Sequence, residues 1–213
     1  MFDDDLPEAI PLFPLSGALL LPRGVLPLNI FEPHYLNMVS DAMANERVIG
    51  MIQPLNPKND DKPNLYRTGC MGRITAFNET EDDRFLIMLT GICRFDVVRE
   101  LPEENGYRRA IVDYSGFADD QEPESGNQID RKRLLDVLQL FIQQNAIDVE
   151  WKAVTALADE QLVVSLAMTC PFAPNEKQAL LECPSLAERS RVLTALLEMT
   201  LLAPDMAENA RPN

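Results

Sequence analysis

The chain has 213 residues, of which 46% are hydrophobic, and it carries a formal net charge of −15. A chain of this length buries a sizeable core, as one domain or as two small ones. The negative charge repels phosphate backbones and anionic membrane surfaces, and it therefore argues against unspecific binding to either.

The start of the chain and its apolar runs predict a soluble protein in the cytoplasm. Acidic residues follow Met1, where a secretory signal would carry a basic region. No apolar run approaches the roughly 18 residues that a membrane helix needs, since Pro22 ends the run that begins at Ala18.

Residues 10–35, the most distinctive stretch, are apolar and interrupted by five prolines and two glycines. Proline is tolerated at strand edges and bulges but not inside helices, so this stretch predicts short, bent, partly unpaired strands. Within it, the alternation of residues 25–31, VLPLNIF, predicts a strand with one buried face and one mixed face. Pro33 suits the first position of a helix that follows.

Short strands and polar turns fill the rest of the first half of the chain. Predicted strands cover residues 48–53, 69–77, 85–89, 93–98 and 107–114. Residues 54–64 are predicted to form an exposed loop, and Gly91 a bulge or a sharp bend. Short strands bent by glycine and proline favour a small closed or half-closed β-barrel over a flat sheet.

The composition changes at residues 115–128, which are polar, and the remainder is predicted to be helical. We predict an α+β fold: a curled β-barrel subdomain with one helix over residues 1–117, a linker over 118–128, and an α-helical bundle over 129–213. The predicted signals for helix starts are Asp148, Asp159, Pro174 and the S-x-x-E pair of Ser185 and Glu188.

The chain lacks the common catalytic motifs. G-x-x-x-x-G-K-[ST], G-x-S-x-G and H-E-x-x-H are all missing, and His34 is the one imidazole. We expect His34 to have a surface or packing role, and we expect no catalytic residues, no metal and no cofactor. A small hydrolase or other enzyme with an unrecognised site stays open as an alternative.

Four cysteines, Cys70, Cys93, Cys170 and Cys183, are scattered along the chain without a C-x-x-C pair. With a single histidine to complete a ligand set, a zinc site is not expected, and buried reduced thiols are. The sequence leaves open whether Cys170 and Cys183 form a disulfide.

Four leucines lie in or next to the proline- and glycine-rich loop of residues 15–24, and they are Leu19, Leu20, Leu21 and Leu26. Either they fold back into the core, or they form an exposed apolar patch for a polypeptide partner. The solvent exposure of these side chains distinguishes the two interpretations.

Several spaced motifs resemble the Lon N-terminal domain, the substrate-recognition module of the ATP-dependent Lon proteases. They are PLFPL, L-P-x-G-V-x-P-L-x-I-F-E-x-x-Y, Y-x-x-G-x-x-G-R-I and G-x-x-R-F, which together span residues 10 to 114. The helical segment that begins at Asp159 resembles the bundle that follows in the same family.

The resemblance implies a PUA-like barrel joined to a helical bundle, and a non-catalytic module that binds unfolded polypeptide or a protein partner. The chain resembles the stand-alone Lon-domain proteins of bacteria, since it has no ATP-binding motif and no Ser-Lys protease domain. The residues that we expect to contact the partner are Leu19, Leu20, Pro22, Arg23, Phe31 and Tyr35.

RNA binding is the alternative function, because PUA-like barrels often bind RNA. Six arginines are concentrated in the β half, where they would form a local basic face despite the net charge. They are Arg67, Arg73, Arg84, Arg94, Arg108 and Arg109. The sequence gives neither the partner's identity nor the oligomeric state.

Overall fold

A computed structural model describes residues 6–55, 63–123 and 129–202, and the chain divides into two compact units, Met1–Pro123 and Glu124–Asn213. The elements of the first unit are β1 (Ala9–Pro14), β2 (Val25–Ile30), α1 (Pro33–Ala44), β3 (Val48–Ile52), β4 (Thr68–Glu79), β5 (Phe85–Glu104), β6 (Tyr107–Asp113) and a 3-10 helix (Ser115–Gln121). Those of the second are α2 (Arg131–Gln144), α3 (Trp151–Ala156), α4 (Asp159–Thr169), α5 (Pro174–Glu182) and α6 (Leu186–Leu202). The predicted α+β fold, strands first and helices second, is confirmed.

The sheet of the first unit closes on itself. Its strand order is β2-β5-β4-β3-β1-β6, and β5 also pairs with β6, so five strands form a barrel. β1 and β3 are parallel, and the other pairs are antiparallel. The buried core of the barrel consists of Ile10, Leu12, Val48, Ile52, Met71, Phe95, Ala110 and Val112. The predicted curled barrel is therefore confirmed.

The sixth strand, β2, lies outside the barrel and pairs only with residues 85–90 of β5. The same part of β5 pairs on its other side with residues 73–79 of β4. These three segments form a short antiparallel sheet that projects beyond the barrel, and we call it the strand extension. β5 therefore belongs to both structures, because its 20 residues run from the extension into the barrel.

β5 is continuous through Gly91, where the sequence predicted two separate strands. The register shifts here, since Met71 pairs with Cys93 but Gly72 pairs with Gly91, and the predicted bulge is confirmed. A Cβ atom on Gly91 would lie 2.0 Å from the carbonyl oxygen of Leu21. Glycine is needed here because the chain of the loop before β2 crosses β5 at this point.

The 3-10 helix is held to the barrel by a buried ion pair. Asp120 accepts hydrogen bonds from Arg94 Nε at 2.8 Å and Nη2 at 2.7 Å, and its backbone carbonyl accepts one from Arg23. The linker predicted over residues 118–128 is thus shorter at its start, since residues 118–121 are part of the folded first unit. Residues 124–128 lie outside the described part of the chain.

In the second unit, α2 buries the predicted face that includes Leu134, Leu138 and Phe141. The start of α5 at Pro174 is confirmed. Before α6, Ser185 Oγ accepts the Glu188 N–H at 3.2 Å, which is one of the two hydrogen bonds of the predicted capping box, while the Glu188 carboxylate pairs with Arg191. Two predicted caps are wrong.

The two incorrect caps lie one or two residues from the true helix starts. α3 begins after Glu150 instead of Asp148, and α4 begins after Ala158, so that Asp159 lies inside the first turn. The Asp159 carboxylate is used differently, because it accepts a hydrogen bond from Arg131 Nη1 at 2.5 Å.

The four cysteines are buried thiols outside any disulfide, as predicted, and Cys170 and Cys183 are not bridged. Burial raises the pKa of Cys93 to about 12 and that of Cys170 to about 11. None of the helices in residues 6–55, 63–123 and 129–202 has the length and apolar composition to cross a membrane.

Candidate functional site

The leucines of the loop before β2 take the core alternative. Leu19 and Leu20 are 3% and 2% exposed, and Leu21 is fully buried. Leu20 packs towards Leu89 of the strand extension, close to Gly72, where an added Cβ would lie 2.7 Å from Leu20 Cδ2. The expectation that Leu19 and Leu20 contact a partner is therefore wrong, because both side chains are buried and Leu20 packs under the extension.

The other four predicted contact residues have different surroundings. Pro22 is buried, and Arg23 is half-buried with its guanidinium donating to the backbone carbonyl of Asp120. Tyr35 packs against Phe13, with ring centroids 4.3 Å apart, and burial raises its pKa. Phe31 is 61% exposed and keeps its place as a candidate contact residue.

The strand extension presents an apolar surface to solvent. Paired residues of an antiparallel ladder point to the same face, and alternate residues point to opposite faces. Pro27, Met88 and Ala76 form one row across the three strands, and Asn29, Leu86 and Asn78 form the next. Together with Val25, these two rows make up what we call the outer face.

The outer face is exposed, whereas the opposite face is buried over most of its length, with Phe77 39% exposed near its end. Val25 is 50% and Leu86 is 44% exposed, while Ile87 and Leu89, which alternate with Leu86 along β5, are 2% and 0% exposed. A shallow groove with a volume of about 480 Å³ runs over residues 27–29, 76–78 and 86–88. The solvated face of an antiparallel sheet is usually polar, so this apolar surface indicates a binding site.

The sequence contained one signal for the outer face. Residues 85–89, FLIML, are apolar at every position, which a strand with one solvated face does not require. Such a strand is either buried on both sides or exposes apolar side chains. Here the strand exposes apolar side chains, and this could be recognised only from the pairing of β2 with β5 outside the barrel.

The β4–β5 turn forms a rim at one end of the outer face. Thr80 Oγ1 accepts the Arg84 N–H at 3.2 Å and donates to Asp82 Oδ1 at 2.5 Å, which orders the turn. The Arg84 guanidinium pairs with Asp82 and lies 5.9 Å from the ring centroid of Phe31. This cation–π contact places Phe31 beside the rim.

The free edge of β2 offers few backbone donors. Gly91 N–H donates to Gly24 O at 2.8 Å, so alternate residues from Gly24 onward face β5, and Val25, Pro27 and Asn29 face the open edge. Proline has no N–H, and Pro27 therefore interrupts the edge at its centre. Proline at this position protects an edge strand against pairing with another strand.

A second cleft, of about 450 Å³, lies between α1 and the β5–β6 turn. Its central carboxylate, Asp41, accepts hydrogen bonds from Tyr107 Oη at 2.9 Å and from Asn105 Nδ2 at 2.8 Å. Burial together with Asp41 raises the pKa of Tyr107 to about 12. Because these polar groups are satisfied by one another, the cleft is a weaker candidate than the outer face.

Five of the six arginines that were expected to form a basic face are paired with acids. Five ion pairs join Arg67 to Asp96, Arg84 to Asp82, Arg94 to Asp120, Arg108 to Glu100 and Arg109 to Glu104. Each guanidinium charge is opposed locally, so these five arginines do not form an unopposed positive surface.

His34 shows no catalytic arrangement among the described residues. Its Nε2 lies 3.7 Å from a carboxylate oxygen of Glu32, and its ring lies against Tyr35 at a centroid distance of 4.0 Å. Within the described ranges, no group of three or more His, Cys, Asp or Glu side chains is arranged to hold a metal ion.

Comparison with known families gives a match over most of the chain. The family model described as the ATP-dependent protease La (LON) substrate-binding domain matches residues 9–199. Among individual proteins, Lon protease 2 of Myxococcus xanthus is 26% identical over 203 residues, which cover 91% of this chain and 24% of that protein. The Lon protease of Anaeromyxobacter dehalogenans is also 26% identical, over 91% of this chain and 23% of that protein. The chain thus spans about a quarter of the length of these relatives.

Two solved structures share the fold. A Lon N-terminal domain protein from Xanthomonas campestris matches with a TM-score of 0.62 and 24% identity, over 88% of this chain and 97% of that one. The N-terminal domain of the Lon protease of the Mycobacterium avium complex matches with a TM-score of 0.64 and 16% identity, over 89% and 98% of the two chains.

Proposed function

Given that this chain belongs to the family of LON substrate-binding domains, we propose that it binds polypeptide segments on the outer face of the strand extension. The family match covers both units, and it is a match to a substrate-binding domain. Binding without bond-making or bond-breaking is part of the proposal.

The observation that carries the proposal is the exposure of apolar side chains on the outer face. Val25, Pro27, Leu86 and Met88 lie on one side of a sheet whose other side is buried at Ile87 and Leu89. A surface of this kind loses unfavourable contact with water when a partner's apolar side chains cover it. The two asparagines beside Leu86 offer both donors and acceptors to the partner's backbone.

The size of the outer face sets the strength of binding. Full burial of an apolar side chain contributes about 1.5–3 kcal/mol, and the outer face offers a few such side chains. The free-energy cost of ordering the partner is subtracted from this gain. We therefore expect dissociation constants in the micromolar range, which correspond to binding free energies on the order of −8 kcal/mol.

The mode of binding follows from Pro27. A partner that added a strand to β2 would find no N–H at the centre of the free edge, so main-chain pairing there is weak. Recognition by side chains lying across the face is the better-supported mode, and it differs from the strand addition used by many peptide-binding domains.

Fluorescence anisotropy of a labelled unfolded polypeptide, titrated with the purified chain, tests the proposal. Leu86→Asn places an amide on the middle strand of the outer face and should weaken binding about tenfold, which corresponds to about 1.4 kcal/mol. Leu86 is exposed, so the fold should be retained, and the midpoint of urea unfolding checks this.

Two control variants are matched to Leu86→Asn. Leu140→Asn changes the same residue type at 55% exposure on α2, and Val98→Asn changes a 61% exposed residue further along β5. Neither should alter binding. Equal losses in all three variants, or no binding by the unchanged chain, would refute a site on the outer face.

A further inference from the structure

We infer that the outer face selects apolar segments that carry lysine or arginine next to the apolar stretch, because an acidic rim borders it. This inference rests on the proposed function and adds the charge of the segment that is bound.

The rim is strongly acidic. Three carboxylates and one guanidinium lie between β4 and β5, and with Glu79, the last residue of β4, residues 79–84 carry a net charge of −3. Arg84 is paired with Asp82 and contacts Phe31. Glu81 and Asp83 are exposed and project from a turn that Thr80 orders.

The rim lies within electrostatic reach of the groove. Asn78 and Leu86 form the last row of the outer face, and the turn begins one residue after Glu79. The outer face spans the five residues from Val25 to Asn29, and their four steps cover roughly 13 Å at about 3.3 Å per residue. An extended segment of about five residues fills it, and the next residue of the segment reaches the rim, within the ~10 Å Debye length at 0.1 M salt.

The same charges argue against a second copy of this chain as the occupant. A copy brings a net charge of −15 and its own acidic rim to the contact, so like charges would face each other. Edge pairing between two β2 strands is interrupted by Pro27 on both sides. A cationic segment is opposed by neither effect.

Three peptides test the inference, each with the same five apolar residues flanked at both ends by pairs of Lys, Gln or Glu. Exposed ion pairs contribute about 0.2–1 kcal/mol each, so at low salt the Lys peptide should bind roughly fivefold more tightly than the Gln peptide, and the Glu peptide more weakly still. The preference should disappear at about 0.5 M salt, where screening is strong.

The double variant Glu81→Gln, Asp83→Asn removes two rim charges without changing side-chain size. Asn is suited to position 83, where φ is 57°. The double variant should abolish the preference for Lys flanks and leave the affinity for the Gln peptide unchanged. The control Asp148→Asn, Glu150→Gln removes the same charge from exposed positions of the second unit. It should change neither the preference for Lys flanks nor the affinity for the Gln peptide.

Isothermal calorimetry measures the affinity of each of the three peptides for three proteins: the unchanged chain, the rim double variant and the Asp148→Asn, Glu150→Gln control. Equal affinity for all three peptides would overturn the charge preference and leave polypeptide binding standing. Binding of none of them would overturn the proposed function itself. A preference for Lys that survives in Glu81→Gln, Asp83→Asn would show that the rim is not its cause, and it would also overturn the inference.

Discussion

Asp120 accepts three hydrogen bonds from Arg94, one from the backbone N–H at 2.9 Å and two from the guanidinium at 2.8 and 2.7 Å. Both side chains are almost fully buried, at 5% and 8% exposure. The Phe117 ring lies 4.8 Å from the guanidinium and covers it. Asp120 thus joins the 3-10 helix to the barrel.

Asp120→Asn should lower the free energy of unfolding by roughly 3 kcal/mol, because it leaves a buried guanidinium without its counter-charge. Urea unfolding followed by circular dichroism measures the change. Asp119→Asn, at an exposed neighbouring position, is the control and should shift the midpoint little. Similar midpoints for the two variants would contradict the structural role of Asp120.

Gly91→Ala should destabilise the first unit by about 1–3 kcal/mol or more, since the new Cβ would meet the Leu21 carbonyl oxygen at 2.0 Å. Backbone cannot move aside as a side chain does, so the loop before β2 would have to shift. Gly116→Ala provides the comparison, because no atom lies within 4 Å of its added Cβ. If both variants unfold at the same urea concentration as the unchanged chain, the close approach of the Leu21 carbonyl to Gly91 would be contradicted.

Pro27→Thr should promote self-association through β2, because it restores an N–H at the centre of an exposed edge. Size-exclusion chromatography with light scattering, over a range of protein concentrations, detects the change in mass. Val25→Thr makes a threonine on the same edge without adding a donor and should behave like the unchanged chain. Identical elution of both variants at all concentrations would argue against edge protection by Pro27.

Cys170 should make stability fall in alkaline solution. Burial raises its pKa from 9.0 to about 11, so the folded chain retains a proton that the unfolded chain releases. This contribution is fully present below pH 9 and is lost as the pH rises through about 11. Its size is about 3 kcal/mol, from about 1.4 kcal/mol per pKa unit.

Urea unfolding of the unchanged chain and of Cys170→Ala between pH 8 and about 11 isolates this contribution. Lys177, whose pKa burial lowers, contributes with the opposite sign but is present in both proteins. The difference between the two stability curves should therefore decline with pH. Parallel curves would show that the Cys170 thiol does not titrate in this way.

Labelled RNA should not shift in a gel, even at about 50 mM salt, where phosphate contacts are strongest. Five of the six candidate arginines are ion-paired, and the chain as a whole is acidic. A shift that weakens with salt and is lost in Arg67→Gln or Arg109→Gln would instead support the RNA alternative.

The order of the elements and the closed barrel were predictable, because proline and glycine mark the strand ends and the helical period begins abruptly after the barrel. Pro33 at the start of α1 and Pro174 at the start of α5 follow from proline chemistry alone. The predicted caps at Asp148 and Asp159 failed because α3 and α4 begin without a side-chain cap, at Glu150 and Ala158, so a cap-forming residue nearby does not mark the helix start.

The location of the site was less predictable. Leu19 and Leu20 look like a surface patch in the sequence, since they stand in a loop rich in proline and glycine. They are buried because the loop crosses β5 at Gly91, a long-range contact that no local pattern encodes. Leu86 looks like an ordinary core residue for the converse reason, since only the pairing of β2 reveals which side of β5 is solvated.

The continuity of β5 determines how the outer face responds to whatever it binds. One unbroken backbone carries Leu86 and Met88 on the extension and Phe95 in the centre of the barrel. The proposed docking surface is therefore continuous with the barrel core through one strand, without a loop between them. Little conformational entropy remains to be lost on the protein's side of the complex, so the ordering penalty falls on the captured chain.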